Sequence, residues 1–191
     1  SRYFDKVYPK AKGGWRSPGI ISIGIGQGEI QLSTIQMANL AAIIANRGYF
    51  YTPHLVKKIK GVDAIDPKYT TKRSPKIDAR YYEYIVDGMQ GVVTSGTGKK
   101  AFIPDLPICG KTGTVQNPHN HKKDHSVFFA FAPKNNPKIA IAAYVEFGGW
   151  GGDYAAPISS LMIEKYLRGY ISEGRKGVEK KMKEAKLVTY E

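Results

Sequence analysis

Apolar positions along the 191-residue chain recur at helical spacing in three segments. Ser33 and Gln36 form a capping pair that introduces a helix predicted over 35–46. That helix is apolar nearly all round, so we expect it to lie in the core. Further helices are predicted over 79–93 and 155–168, where apolar residues return every three or four positions.

Short apolar runs bounded by turn residues predict strands, over 51–59, 108–116, 126–132 and 139–147. The Asn-Asn-Pro-Lys connection between the last two is typical of a hairpin, which makes them antiparallel neighbours. The order helix, strand, helix, three strands, helix predicts an α/β fold with a mainly antiparallel sheet covered by helices on both faces. Loop is predicted for 1–17, and a charged, weakly amphipathic, frayed segment for 174–191.

Composition and charge limit the classes of function. The chain carries 29 Lys and Arg against 16 Asp and Glu, a net charge of +13. These charges are scattered, without aromatic residues spaced for base stacking, which favours general attraction to anionic surfaces over nucleic-acid binding. No apolar run reaches the ~18 residues of a membrane span. The opening residues do not form a signal peptide, and the single cysteine excludes an internal disulfide.

The segment Gly110-Lys111-Thr112-Gly113-Thr114 carries the most specific chemistry, at a predicted strand. A lysine ammonium and two threonine hydroxyls can bind a carboxylate, and Gly113 lets a ligand lie close to the backbone. An edge strand can pair with an extended peptide, and the N–H of Thr114 can then face a developing oxyanion. Lys-Thr-Gly is a motif shared by serine β-lactamases and penicillin-binding proteins. On the tripeptide alone, an ordinary turn with a surface lysine stays open.

Several other stretches resemble class B penicillin-binding proteins, in family order over about 14–167. They are Ser22–Glu29 with Ser33–Ala38, Gly91–Val93 with Gly96–Gly98, Asp124–Pro133, and Gly151–Gly152 with Ala155–Pro157. The Gly-Gln-Gly and Asp-His forms are most similar to the elongation type, penicillin-binding protein 2. The chain is therefore identified as a member of this family, with 1–173 as the C-terminal part of a transpeptidase domain and 174–191 as a basic tail.

The resemblance implies a partial β-lactamase/transpeptidase-like fold and a function. That function is D,D-transpeptidation of peptidoglycan stem peptides ending in D-Ala-D-Ala, through a serine acyl-enzyme that β-lactams also form. No cofactor is implied. The resemblance assigns substrate binding to Lys111, Thr112, Gly113 and Thr114, and catalytic roles to Lys111 and Thr114. It also implies a protein anchored in the inner membrane, its catalytic domain on the periplasmic side, with a glycosyltransferase of the elongation machinery as partner.

The chain departs from the family at the nucleophile. No serine is followed by Lys at the third position or by Asn at the second, so the Ser-x-x-Lys and Ser-x-Asn motifs are absent. We therefore expect this chain to be inactive by itself. Two alternatives stay open: a non-catalytic penicillin-recognising sensor or regulatory module of the same fold, and an unrelated basic protein that binds an anionic polymer.

Four further features have weaker readings. His119, His121, Asp124 and His125 could ligate zinc, but the lysines between them oppose cation binding, so no metal site is predicted. His125 is instead expected to make a structural hydrogen bond. Cys109 is expected to be a small core residue, with reactivity as the alternative. Trp150 could line the cleft or pack on the surface. The glycines and lysines of 96–100 lack the first glycine of a phosphate-binding loop.

Overall fold

The computed structural model describes residues 6, 17–28, 30–61, 65–117 and 123–187. The chain divides into two compact units, Ser1–Leu32 and Ser33–Glu191. The first contains helix α1, Ser17–Gly24, which the sequence analysis did not predict. Pro18 lies in its first turn, where a missing N–H costs nothing. Two glycines with positive φ follow the helix: Gly26 (77°) and Gly28 (81°).

The second unit contains five helices and three strands within its described residues. They are α2 Thr34–Ala45, α3 Pro67–Thr70, α4 Arg80–Thr94, β1 Cys109–Val115, β2 His125–Ala132, β3 Ile139–Val145, α5 Ala155–Arg168 and α6 Lys176–Glu184. Three predicted helices and three predicted strands are thereby confirmed to within two residues. The capping pair is present, with Ser33 N donating to Gln36 Oε1 at 2.8 Å. In the part of the chain described, no helix is long and apolar enough to cross a membrane.

The three strands form one antiparallel sheet in the order β1-β2-β3. The hairpin predicted between β2 and β3 is confirmed, with Ala132 opposite Ile139. In the other pair, Lys111 lies opposite Phe129 and Thr114 opposite Ser126. Strand β1 is thus at the margin of the sheet, and its outer side has no partner among the described residues.

Helices cover both faces of the sheet, as predicted. Alternate side chains of β2 point to opposite faces, so Phe128 packs on the α5 side and Phe131 on the side of α2 and α4. Both rings are fully buried. Two apolar clusters, one on each face, hold the sheet between the helices. Because both faces of β1 meet packed elements along part of its length, the open outer side is the route by which a ligand can reach its backbone.

Two expectations about the first half are corrected. No strand forms over 51–59; the nearest pairing is a single bridge between Phe50 and Arg73. Pro53 lacks an N–H, and Leu55 is fully exposed, so this segment has neither a complete set of donors nor a buried face. Helix α2 is only partly in the core, since Ile35 is 57% exposed.

The C-terminal segment is also more ordered than its composition predicted. Instead of fraying, it forms a 3-10 turn, Glu173–Arg175, followed by α6. Arg175 Nε lies 2.9 Å from Oε2 of Glu164, a fully buried carboxylate in α5. A buried charge requires a paired partner. This ion pair therefore joins the start of the C-terminal segment to the last helix of the predicted transpeptidase part.

Candidate active site

The Lys-Thr-Gly-Thr segment lies within β1, at the outer margin of the sheet. Lys111 is exposed, and Thr112, Gly113 and Thr114 are partly exposed. An edge strand directs alternate N–H and C=O groups away from its one neighbour, where another chain can pair with them. The predicted site is thus accessible at a strand margin, in the position that peptide pairing requires.

The register assigns the side chains of the segment to opposite faces. Thr112 and Thr114 lie opposite Phe128 and Ser126, and so point to the α5 side. Lys111 lies opposite Phe129 and points to the other side. The ammonium and the two hydroxyls predicted to bind one carboxylate therefore approach it from opposite faces of the strand. They can meet only at the open margin between those faces.

Two hydrogen bonds locate the polar groups near this margin. Lys111 Nζ donates to the carbonyl oxygen of Thr112 at 2.7 Å, which brings the ammonium beside the backbone of the strand. The hydroxyl oxygens of Thr112 and Thr97 are 2.6 Å apart. Thr97 belongs to the turn that follows α4. The turn therefore supports Thr112 from the α5 side, a contact that the sequence analysis did not identify.

Thr114 contacts the loop between β3 and α5. Gly151 N donates to Thr114 Oγ1 at 3.4 Å. Beside this contact is an open groove of about 470 Å³. It is lined by Lys100, Thr114, Lys123, Asp124, Gly148, Gly149, Trp150, Asp153, Tyr154 and Lys181. Trp150 is 75% exposed, so it both lines the groove next to Thr114 and remains accessible to solvent.

The residues that precede Lys111 are structural. Cys109 is fully buried between the sheet and the helices α2 and α4, and burial raises the pKa of its thiol to about 11. Because the thiolate is the reactive form, the prediction of a small core residue is confirmed and the reactive alternative is wrong. Gly110 lies against the ring of Phe128, which leaves no space for a Cβ atom.

The histidine cluster divides into a structural part and a part outside the described residues. His125 Nδ1 accepts a hydrogen bond from Phe147 N at 3.1 Å, and its ring stacks on Tyr144. The predicted structural role is confirmed. His119 and His121 lie outside the described residues. Within the described ranges, no group of three His, Cys, Asp or Glu side chains is placed to hold a metal ion.

Thr97, Ser126 and Gly151 lie in stretches that the sequence analysis noted, but no role at the site was predicted for these three residues. Ser126 is the one with a visible signal, because it is a hydroxyl at the start of the apolar run Val-Phe-Phe-Ala-Phe-Ala. It is fully buried, and a buried hydroxyl normally has a partner. Thr97 and Gly151 reach β1 from sequence positions 15 and 37 residues away from their partners. No local pattern marks such contacts.

Comparison with known proteins gives matches over most of the chain. The family model of the penicillin binding protein transpeptidase domain matches residues 8–164. The chain is 35% identical over 174 residues to peptidoglycan D,D-transpeptidase MrdA of Haemophilus influenzae, a match covering 80% of this chain and 26% of that protein. The chain therefore spans about a quarter of the length of this relative.

Solved structures of similar proteins agree with the fold. PBP2 of Pseudomonas aeruginosa, in complex with WCK 5153, has 32% identity and a TM-score of 0.72, covering 90% of this chain and 38% of that one. Penicillin-binding protein A of M. tuberculosis, as an imipenem acyl-enzyme complex, has 33% identity and a TM-score of 0.62, covering 76% and 33%. The resemblance to penicillin-binding protein 2 and the transpeptidase-like fold are confirmed.

Proposed function

The chain belongs to the penicillin-binding protein transpeptidase family, and on this premise we propose that Lys111–Thr114 is the substrate-binding edge of a peptidoglycan D,D-transpeptidase. The observation that carries the proposal is the open margin of β1, where an exposed ammonium and a partly exposed hydroxyl lie on either side of one strand. The stem peptide ending in D-Ala-D-Ala would add to this margin as an extended strand.

The reaction requires the margin of β1 to bind two negative charges: the carboxylate of the ligand and the oxyanion that develops at the attacked carbonyl. The terminal carboxylate of the peptide, or that of a β-lactam, would lie between Lys111 Nζ and the hydroxyl of Thr114. Hydrogen bonds to charged groups contribute ~1.5–3 kcal/mol each. To bind the carboxylate, Lys111 exchanges its 2.7 Å bond to the Thr112 carbonyl for the ligand. The backbone N–H of Thr114 would donate to the carbonyl oxygen as it becomes an oxyanion.

The nucleophile in this proposal is a serine outside the present sequence, since no serine here has the required neighbours. It attacks the penultimate D-Ala carbonyl carbon, and the terminal D-Ala leaves with a proton as a free amino acid. An amine of a second stem peptide then attacks the ester carbonyl and releases the serine. Dividing the transfer in this way replaces one difficult step with two easier ones.

The proposal extends to location and partner. We expect the complete protein to be anchored in the inner membrane, with this domain on the periplasmic side and a glycosyltransferase of the elongation machinery beside it. The extent of the transpeptidase part, 1–173, with a basic tail beyond it, also stays a prediction. These expectations come from the family resemblance.

Acylation by a fluorescent penicillin tests the assignment in the complete protein. Lys111→Ala should slow acylation ~10- to 100-fold, because one charged hydrogen bond to the ligand is lost. Lys138→Ala is a matched control, since Lys138 is an exposed lysine in the β2–β3 hairpin and does not belong to β1. If both variants are labelled at the wild-type rate, Lys111 is not in the site. The 191-residue chain alone should form no covalent adduct.

The absence of Ser-x-x-Lys favours one second candidate, a non-catalytic penicillin-recognising sensor or regulatory module of this fold. The two candidates differ in the complete protein. A transpeptidase carries both upstream serine motifs and releases D-Ala from a stem peptide. A non-catalytic sensor or regulatory module releases none, whether or not a β-lactam binds to it.

A further inference from the structure

The loop Gly148–Gly152 joins β3 to α5. It lies directly against β1, on the α5 side of the strand that carries the Lys-Thr-Gly-Thr segment. A Cβ atom added to Gly151 would collide with the carbonyl oxygens of Gly113 and Val127. One added to Gly152 would lie 2.6 Å from the carbonyl oxygen of Thr97. Neither glycine has a positive φ, so close approach rather than backbone conformation requires glycine here. The loop is thus in backbone-to-backbone contact with β1.

Ser126 fixes this loop to the sheet. Its hydroxyl donates to the carbonyl oxygen of Trp150 at 2.9 Å and accepts from Ala155 N at 3.0 Å. The side chain is fully buried and lies opposite Thr114 in the β1–β2 register. A second tie comes from Gly149 N, which donates to the carbonyl oxygen of Asp124 at 2.8 Å. The loop is therefore fixed from both ends against the strand pair.

The loop determines what the Thr114 hydroxyl can do. A threonine hydroxyl has one hydrogen to donate and two lone pairs to accept with. Gly151 N–H is a donor only, so its bond to Thr114 Oγ1 uses a lone pair. The hydroxyl hydrogen stays available for a ligand acceptor. At Thr112 the partner is another hydroxyl, Thr97, and either oxygen can donate, so no such direction is set.

We propose that the Gly148–Gly152 loop, held by the buried hydroxyl of Ser126, is a positioning element that directs the hydroxyl hydrogen of Thr114 toward the ligand carboxylate. The inference rests on the proposed function of the β1 margin. Ser126 and Gly151 contact no ligand in this arrangement. Both are positioning residues that act through Thr114, and Thr114 is the group that meets the substrate.

The test measures the second-order rate of acylation by a fluorescent penicillin in the complete protein, with thermal unfolding recorded for each variant. Ser126→Ala should slow acylation roughly five- to tenfold, the value of one hydrogen bond. Ser159→Ala is its matched control, because Ser159 is equally buried and its hydroxyl has no partner within the described structure. Gly151→Ala should slow acylation at least as much. Gly88→Ala, which meets no atom within 4 Å, is the control for that change.

A double-mutant cycle separates positioning from general loss of structure. If the loop acts through Thr114, Ser126→Ala should change the rate less than ~twofold once Thr114 has been replaced with valine. An equal effect of Ser126→Ala in both backgrounds overturns the inference, as does a Ser126→Ala variant that matches Ser159→Ala. Failure of the proposed function looks different: Thr114→Val and Lys111→Ala would then both retain the wild-type rate.

Discussion

Replacing Glu164 with glutamine tests how the C-terminal segment is held, because this buried carboxylate accepts hydrogen bonds from Arg175 and from the backbone of Ser172, as well as from Arg168 in its own helix. Oε2 accepts from Arg175 Nε at 2.9 Å. Oε1 accepts from Arg168 Nη1 at 3.2 Å and from Ser172 N at 3.3 Å. The Glu164 side chain is fully buried and that of Arg175 is 11% exposed. Burial lowers the pKa of Arg175 in spite of this partner, and because an arginine stays charged, the carboxylate compensates a guanidinium that has been removed from water.

The size of the expected loss of stability follows from the contacts that glutamine cannot make. Its amide carries no charge, and its NH₂ group would face a guanidinium that can only donate. Removing one partner of a buried ion pair typically costs ~3–5 kcal/mol, because the other charge is left uncompensated. For a domain of this size each kcal/mol lowers Tm by ~2–4 °C, so we expect a decrease of about 6–20 °C.

Thermal unfolding and limited trypsin digestion together measure the effect. In Glu164→Gln, cleavage within 173–184 should begin well below the main unfolding transition, since the segment that leads into α6 loses its ion pair with α5. Glu179→Gln is the control in the same segment, where the carboxylate meets Lys183 on the surface at 2.8 Å. Its Tm and digestion pattern should be close to wild type. The reasoning is refuted if the two variants have equal Tm, or if 173–184 stays protected in Glu164→Gln.

Three further predictions concern the thiol, an acid-sensitive ion pair and the strand. Because burial raises the pKa of Cys109 from 9.0 to about 11, the unfolded state loses its proton first, and stability should fall as pH rises through that interval. The free energy of unfolding measured in urea should fall less steeply with pH for Cys109→Ala than for the wild type. Equal slopes for the two proteins would contradict the claim. The Arg47 hydrogen bond lowers the pKa of Glu83, so its stabilisation is present above the ordinary value of 4.5 and lost as pH falls below it. Glu83→Gln should remove this part of the acid dependence, and an unchanged acid profile would count against the pair. Gly110→Ala should lower the free energy of unfolding by ~1–3 kcal/mol, measured by thermal unfolding, because the added Cβ meets the buried ring of Phe128. A Tm equal to that of Gly88→Ala would show that the ring yields without cost.

The elements that the sequence predicted well are those with a continuous apolar pattern and clear turn signals. Strand β2, within His125–Ala132, is apolar at nearly every position because both of its faces are covered. The prediction of a strand over 51–59 was wrong, although its residues favour strands. A segment with strand propensity forms a strand only when it has a partner strand and a buried face. Helix α6 was not predicted because its sequence is highly charged, although a tertiary contact holds it in place. None of its residues is fully buried. Its start is held by Arg175, whose ion-pair partner Glu164 lies in α5, and no pattern in the neighbouring sequence indicates that pairing.

The candidate site divides in the same way. The Lys111–Thr114 segment could be proposed from the sequence because its four residues lie on one predicted strand and together supply an ammonium, two hydroxyls and a glycine. Their orientation could not be found, since it depends on which face each side chain occupies, and this is set by the register with β2. The supporting hydroxyl of Ser126 and the backbone of Gly151 come from other strands and loops. Only the assembled sheet brings them to Thr114.

Two close contacts, one made by Gly110 and one by Gly151, help to fix that register, and with it the chemistry of the open margin. Gly110 fits over the ring of Phe128, and Gly113 meets Gly151 with no space for a Cβ atom on the loop. A slip of β1 by one residue would move every side chain to the opposite face. It would bring the Lys111 side chain over the buried ring and remove Thr114 from the Gly151 N–H. The sheet margin therefore presents an ammonium and a hydroxyl on either side of one strand because Gly110 and Gly151 allow the close packing that this register requires.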